Sequence, residues 1–338
     1  MSETSPLDDA DLDLVAALQV APRAPLSALA DVLGSSASTV GRRLARLADE
    51  RLLRVIGQVG WPMLAEGNPM HIWVATVPGQ ARQVAGRIAE LPEVPFVATT
   101  TGRADVYCSL HATRRAGARE LLMSRIPSVP GVRSARTELV LRASTKSDSW
   151  RLRRLGDDQL RALREVADPL HEPAESAESA TVADFTTEEL GAVELLRHDG
   201  RASAAEVARA LGISRSTAYR LTQSLLRRGL VRPRVEIEPP LLGYALEVVV
   251  ELHAAPGAIQ QVADALARHP SARYVSIVAG TSSVIHHGVF RNEEGLAAFL
   301  THDLAAFPGI TACEVSVMLD VLRRYWIGRE DGRLVTAG

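Results

Sequence analysis

The chain lacks most of what would mark a secreted, membrane-bound or catalytic protein. Its 338 residues include two cysteines, Cys108 and Cys313, far apart and in no CxxC or Cys/His spacing. That excludes a disulfide framework and a zinc site of the usual spacing, and a reduced cytosol is the expected location. No apolar run approaches the ~18 residues of a membrane helix, and Met1–Asp9 has no basic stretch leading into an apolar one, so neither a span nor an export signal is expected. Neither sign of charge dominates: 38 Lys and Arg face 40 Asp and Glu, for a formal net charge of −2. Any contact with nucleic acid must therefore come from local clusters. A Ser/His/Asp triad, a paired-carboxylate motif, a P-loop and a GxGxxG following a strand are all missing, so no catalysis, cofactor or metal is expected.

What the chain does have is a repeat. Adding 178 takes Gly34 to Gly212, Thr39 to Thr217, Leu47 to Leu225, Gly102 to Gly280 and Pro130-Gly131 to Pro308-Gly309 with no insertion. Between Pro78 and Ala89, six of twelve positions are identical at this offset, where shared composition would give roughly one. Length and a 46% hydrophobic content suit several packed domains. The expected boundaries are 1–58 and 68–143 for the two modules of the first copy, 144–184 for a connection, and 185–236 and 244–326 for the second copy. Within the connection, 157–167 can form a short helix, while 171–181 is rich in Pro, Glu, Ser and Ala without apolar periodicity and reads as a flexible acidic linker.

Each copy opens with three short helical patterns. In the first, Leu12, Val15 and Leu18, then Leu26, Leu29 and Leu33, then Val40, Leu44 and Leu47 form apolar stripes. Gly34-Ser35-Ser36 and Gly212-Ile213-Ser214 separate the second and third helices, with Gly permitting a left-handed turn and Ser capping the next helix. This is helix-turn-helix punctuation. With the stripe turned inward, Ser38, Thr39, Arg42, Arg43 and Arg46 are expected on the solvent face behind the cap Ser36. In the second copy Arg215, Ser216, Thr217, Tyr219, Arg220 and Gln223 follow the cap Ser214. These side chains suit phosphates and base edges in a major groove of double-stranded DNA. Arg209–Arg234 carries seven Arg and no acid, a strongly positive stretch in a nearly neutral chain. After each third helix, Leu52–Ile56 and Leu230–Val235 read as strands leading out as small wings that would add phosphate contacts.

The second module reads β-α-β-β-α-β: strands over 71–77, 94–101, 106–110 and 132–141, helices over 80–90 and 116–126. That is a ferredoxin-like sheet with two helices on one face, giving an α+β chain that is a tandem repeat of winged helix-turn-helix and ferredoxin-like domain. Along the last strand Cys313, Val315, Val317, Leu319 and Val321 alternate with Glu314, Ser316 and Asp320. The uncovered sheet faces are expected to pair, between the two copies or between chains.

With these residues in place the sequence resembles the Lrp/AsnC (leucine-responsive, feast/famine) regulators, over nearly the whole chain, twice. The first copy carries the resemblance through Leu29-Ala30, Gly34, Ser36, Thr39, Arg43, Gly102-x-x-Asp105 and Pro130-Gly131-Val132. The second does so through Gly212, Ser214, Thr217, Gly229-Leu230-Val231, Gly280 and Pro308-Gly309. The resemblance implies a transcription regulator that forms homo-oligomers and binds a small effector, typically an amino acid, near the Gly-x-x-Asp loop. The residues concerned are Thr101, Gly102 and Asp105, with Gly280, Thr281 and Ser283 as their second-copy counterparts. Asp105 preserves the family carboxylate and Ser283 does not. A tight turn with Asp105 capping backbone amides is the plainer account of that loop. Two further readings stay open. One is an Lrp-like enzyme such as a sirohaem decarboxylase, for which His71, His111, His286 and His287 would line a tetrapyrrole pocket. The other is an amino-acid-binding protein that does not bind DNA.

Overall fold

The computed structural model describes residues 6–60, 67–112, 115–145, 150–167 and 185–336, so the acidic linker expected over 171–181 lies outside the described residues. The first copy runs α1 (Asp9–Val20), α2 (Leu26–Leu33), α3 (Ala37–Asp49), β1 (Leu53–Val59), β2 (Met70–Thr76), α4 (Ala81–Ala89), β3 (Phe96–Thr100), β4 (Val106–Leu110), α5 (Arg115–Glu120) and β5 (Val132–Thr145). After α6 (Asp157–Val166), the second copy runs α7 (Thr187–His198), α8 (Ala204–Leu211), α9 (Arg215–Arg227), β6 (Val231–Ile237), β7 (Leu246–Ala254), α10 (Ile259–Ala267), β8 (Ala272–Ala279), β9 (Val284–Phe290), α11 (Glu293–Ala298) and β10 (Ile310–Arg324). A short hairpin, β11 (Ile327–Glu330) and β12 (Arg333–Thr336), closes the chain. The 178-residue offset superimposes the ends of α1, α2, α3, β1 and α4 on those of α7, α8, α9, β6 and α10 without a slip.

The chain folds into two compact units, and the division cuts across the copies. One unit gathers both helix-turn-helix modules and α6; the other gathers both sensing domains. In the first unit each turn is made as the sequence dictates. Gly34 and Gly212 end α2 and α8 in the left-handed region, at φ of 61° and 67°, and Ser36 and Ser214 accept the Thr39 and Thr217 amides to start α3 and α9. Leu14, Leu18, Leu29, Val40 and Leu47 fill the first module's core, and Leu196, Val207, Ala218 and Leu225 the second's.

The strands expected to be separate wings instead pair with each other. β1 and β6 run antiparallel from Leu53↔Ile237 to Val59↔Val231, centred on Ile56↔Arg234, which are 178 residues apart. The modules are thus related by a local two-fold through that pair. Apolar side chains account for the pairing: Leu53, Val55, Ile56, Val59, Val231, Val235 and Ile237 are all buried. Arg23 donates to the carbonyls of Gly200 and Ala202, while Arg201, its counterpart, donates to those of Pro22 and Ala24 at 2.6 and 2.9 Å. Helix α6 joins this unit too, with the Gln159 amide donating to the Val32 carbonyl and Arg154 paired with Asp9 and Asp13.

In the second unit each copy gives a four-stranded sheet in the order β5-β2-β4-β3 or β10-β7-β9-β8. The two are joined at both ends, β5 with β8 and β10 with β3, so the eight strands close into a ring and the copies of one chain supply each other's partners. Helices pack on the outside against alternate strand residues, such as Ile72, Val74 and Val106 in one copy and Val248, Val250 and Val284 in the other. The intervening residues point inward. Trp73, Phe96, Tyr107, Tyr274, His71 and His287 meet there as a cluster of rings. The alternation expected along the last strand holds only in its first part. Val315 and Val317 pack in the second copy's core, but irregularities in the β10–β3 register after Met318 leave Leu319 64% exposed, and Leu322 then serves the first copy's core.

Candidate nucleic-acid interface and effector loops

The two third helices differ in what they leave available. On α3, Arg42 and Ser38 are exposed, but Arg43 donates to Asp8 and Asp11 at 2.8 Å, and Arg46 donates to Asp11 at 2.5 Å and to Glu50 at 3.2 Å. Asp11 is only 1% exposed, and its capping box with Asp8 at the start of α1 aims both acids at α3. The Arg43 guanidinium holds the Asp8 carboxyl below the usual carboxylate range, and these acids in turn raise the Arg43 pKa. The expectation that Arg43 and Arg46 stand free on a solvent face is therefore corrected: both are half-buried braces between α1 and α3. Asp8 and Asp11, at i and i+3 ahead of an apolar run, were the signal for this.

On α9 the offset puts Leu221 and Ser224 where α3 has Arg43 and Arg46. Arg215, Ser216, Tyr219 and Arg220 are exposed, Tyr219 by 58%, and Gln223 is half-buried. Neither Arg215 nor Arg220 makes an ion pair among the described residues. Ser36 and Ser214 are occupied as caps, each hydroxyl also meeting the hydroxyls two and three residues on, Ser38 and Thr39 or Ser216 and Thr217. The structure thus brings Arg215, Ser216, Tyr219 and Arg220 onto one open face and leaves α3 with Ser38 and Arg42.

At the loop after β3, Asp105 accepts the Thr76 amide at 2.7 Å and the Thr76 hydroxyl at 3.0 Å, so its carboxylate ties the end of β2. Ser283 does the corresponding work in the second copy, accepting the amide of Ala254, the counterpart of Thr76, at 3.3 Å. Asp105 and Ser283 are thus alike in their structural use. Thr101 bonds across to Val317, amide to carbonyl at 2.9 Å and hydroxyl from amide at 3.0 Å, and Gly102 turns at φ 93° over Ser316. In the second copy the amides of Thr281 and Ser282 converge on Glu138, a residue that sequence reasoning did not single out. Comparing position 138 with 316 at the offset would have flagged it.

The four histidines considered for a tetrapyrrole pocket do not gather. His71 and His287 meet inside the ring through the Tyr107 hydroxyl, at 2.5 and 2.7 Å, whereas His286 turns outward against Phe299 and bonds Ser271. Burial lowers His71 and His286 to about 3, lowers His111 to about 4 and pushes His287 well down, so all four are neutral.

Comparison with known proteins follows this division. The AsnC-type helix-turn-helix domain matches residues 7–48, and the Lrp/AsnC ligand binding domain matches 70–150 and again 247–325. Residues 190–234 match the IclR helix-turn-helix domain. The two AsnC-type matches together take in more than half of the chain, and it belongs to the Lrp/AsnC family as a tandem form. An HTH-type transcriptional regulator of Pyrococcus abyssi is 28% identical over 130 residues, covering 38% of this chain and 82% of its own length. The HTH-type transcriptional regulator FL11 of Pyrococcus horikoshii is 28% identical over 143 residues, 40% of this chain and 91% of its own. The crystal structure of the siroheme decarboxylase NirDL shares the fold over 94% of this chain and 93% of its own, with a TM-score of 0.59 and 12% identity. The chain is accordingly an Lrp/AsnC-type transcriptional regulator with helix-turn-helix and ligand-binding domains. No helix among the described residues is long and apolar enough to cross a membrane.

Proposed function

We propose that this regulator binds double-stranded DNA sequence-specifically through two unequal heads, with α9 as the principal reader and α3 contributing mainly Ser38 and Arg42. The open row of Arg215, Ser216, Tyr219 and Arg220 carries this reading, because cations without acidic partners are available to phosphates and base edges. The effector is an amino acid or related small carboxylate taken up at the 101–105 loop, and the chains form homo-oligomers. Mobility-shift titrations with DNA upstream of the protein's own gene test the first part. Retardation that responds to sequence and falls steeply with salt is expected, and binding indifferent to both would overturn it. A thermal-shift screen across the twenty amino acids tests the second, since a ligand that binds only the folded state raises the melting temperature. No shift with any of them would remove the amino-acid reading. The NirDL likeness favours, as a second reading, a tetrapyrrole substrate. A sirohaem titration of the purified chain decides it, and an unchanged Soret band would dismiss it.

A further inference from the structure

We propose that the second effector loop is permanently occupied by the chain's own Glu138, whose side chain stands where a ligand carboxylate would, leaving the 101–105 loop as the open site. This rests on reading the two loops as effector sites. The Glu138 carboxylate receives what a bound anion would receive. The Thr281 and Ser282 amides donate to Oε1 at 3.1 and 3.0 Å, the Ser282 hydroxyl donates to Oε2 at 2.5 Å, and Arg136 donates to Oε1 at 2.7 Å. Glu138 is 0% exposed, and Gly280 is needed beside it: a Cβ there would lie 2.5 Å from the Glu138 Cγ.

The other loop lacks the plug and turns differently, with Gly102 at φ 93° where Gly280 has no positive φ. The offset places Ser316 where Glu138 stands, and a Cβ on Gly102 would meet the Ser316 hydroxyl at 3.2 Å and the Val315 carbonyl oxygen at 3.4 Å, with no carboxylate against it. The amides of Arg103 and Ala104, counterparts of Thr281 and Ser282, have no hydrogen-bond partner among the described residues, although Ala104 is buried. An amide without a partner is open to a carboxylate delivered by a ligand. Position 314 completes the contrast. It is the counterpart of Arg136 but carries Glu, and it pairs with the exposed Arg103 guanidinium at 2.5 Å instead of supplying a cation to a carboxylate.

The test uses the full chain. Glu138→Ala removes the atoms of an acetate ion, so acetate should bind in their place. Its melting temperature should rise saturably with sodium acetate against sodium chloride at equal ionic strength, beyond any rise in the wild type or in Glu138→Gln, which keeps the loop filled. A folded Glu138→Ala that responds no more than the wild type would overturn the proposal. Should that variant not fold, Glu138→Ser, which copies the side chain of the other half, is measured in the same way. Failure of both to fold in acetate would make Glu138 a structural pillar and overturn it too. In the other direction, Ser316→Glu should abolish the shift produced by whichever of the twenty amino acids stabilises the wild type most. If none does, the amino-acid reading fails while the acetate result still decides the occupancy of the second loop.

Discussion

Arg43 and Arg46 show how little a residue type says about its use until its neighbours are known. A helical wheel puts both on the DNA-facing side of α3, and the nearly buried Asp11 takes both away. Replacing Arg43 with Ala should cost about 1–3 kcal/mol of stability, because it strips Asp11 of one of its two cations while leaving DNA affinity little changed once folding is corrected for. Chemical denaturation alongside mobility shifts separates the two effects. Arg215→Ala and Arg220→Ala should do the reverse, each weakening binding, by about 1–3 kcal/mol where a base edge is read, and lowering the salt slope by about 1 where a phosphate is. An Arg43→Ala variant that is as stable as wild type yet loses DNA would sink this assignment.

The buried histidines carry a second prediction at this scale. His71 and His286 are held at about 3 and His287 lower still, while in the unfolded chain each titrates near 6.5. The sign follows from linkage. The unfolded state takes up protons first, so stability is full above about pH 6.5 and declines as pH falls toward 3. The acid response should begin well above the carboxylate range, and melting temperatures from pH 7.5 to 5 would show it. A flat profile there would contradict the neutral His71–Tyr107–His287 chain.

At the scale of elements, most of the fold was legible. Apolar periodicity, Gly-Ser punctuation and the repeat placed the helices and sheet strands, because each of these is a local property. What periodicity cannot name is a strand's partner. β1 and β6 look like wings in isolation because nothing within Leu53–Val59 says that its counterpart 178 residues away will pair with it. The offset register of β10 was hidden for a similar reason, since its irregular steps reconcile two cores at once. Two glycines mark the wing-strand contact. A Cβ on Gly57 would lie 2.5 Å from the Leu196 carbonyl oxygen, and one on Gly200 2.7 Å from the Ile56 backbone. Gly57→Ala or Gly200→Ala should therefore destabilise the helix-turn-helix unit by about 1–3 kcal/mol through overpacking, measurable by denaturant unfolding. The effector loops were legible as loops, but the plug on one of them was not, because Glu138 lies far from Gly280 in sequence.

For the whole molecule, the local two-fold at Ile56↔Arg234 and the reciprocal Arg23 and Arg201 bonds fix the reading heads as a symmetric pair with unequal surfaces. The DNA site should then be bipartite and asymmetric. Scrambling the half contacted by α9 should abolish most specific retardation, whereas scrambling the other half should cost less. Equal losses from both halves, in a footprinting series, would count against the inequality of α3 and α9.

The closed ring of the sensing unit has a consequence for life among relatives. A sheet assembled from separate chains leaves strand edges that any chain with matching edges can enter. Here β5 meets β8 and β10 meets β3 within one polypeptide, so the edges through which a foreign half would enter are already taken. Fusion therefore insulates the pairing. The two halves inherit each other at synthesis, their ratio is always one to one, and mutations can accumulate in either without ever being tested against a partner from another gene.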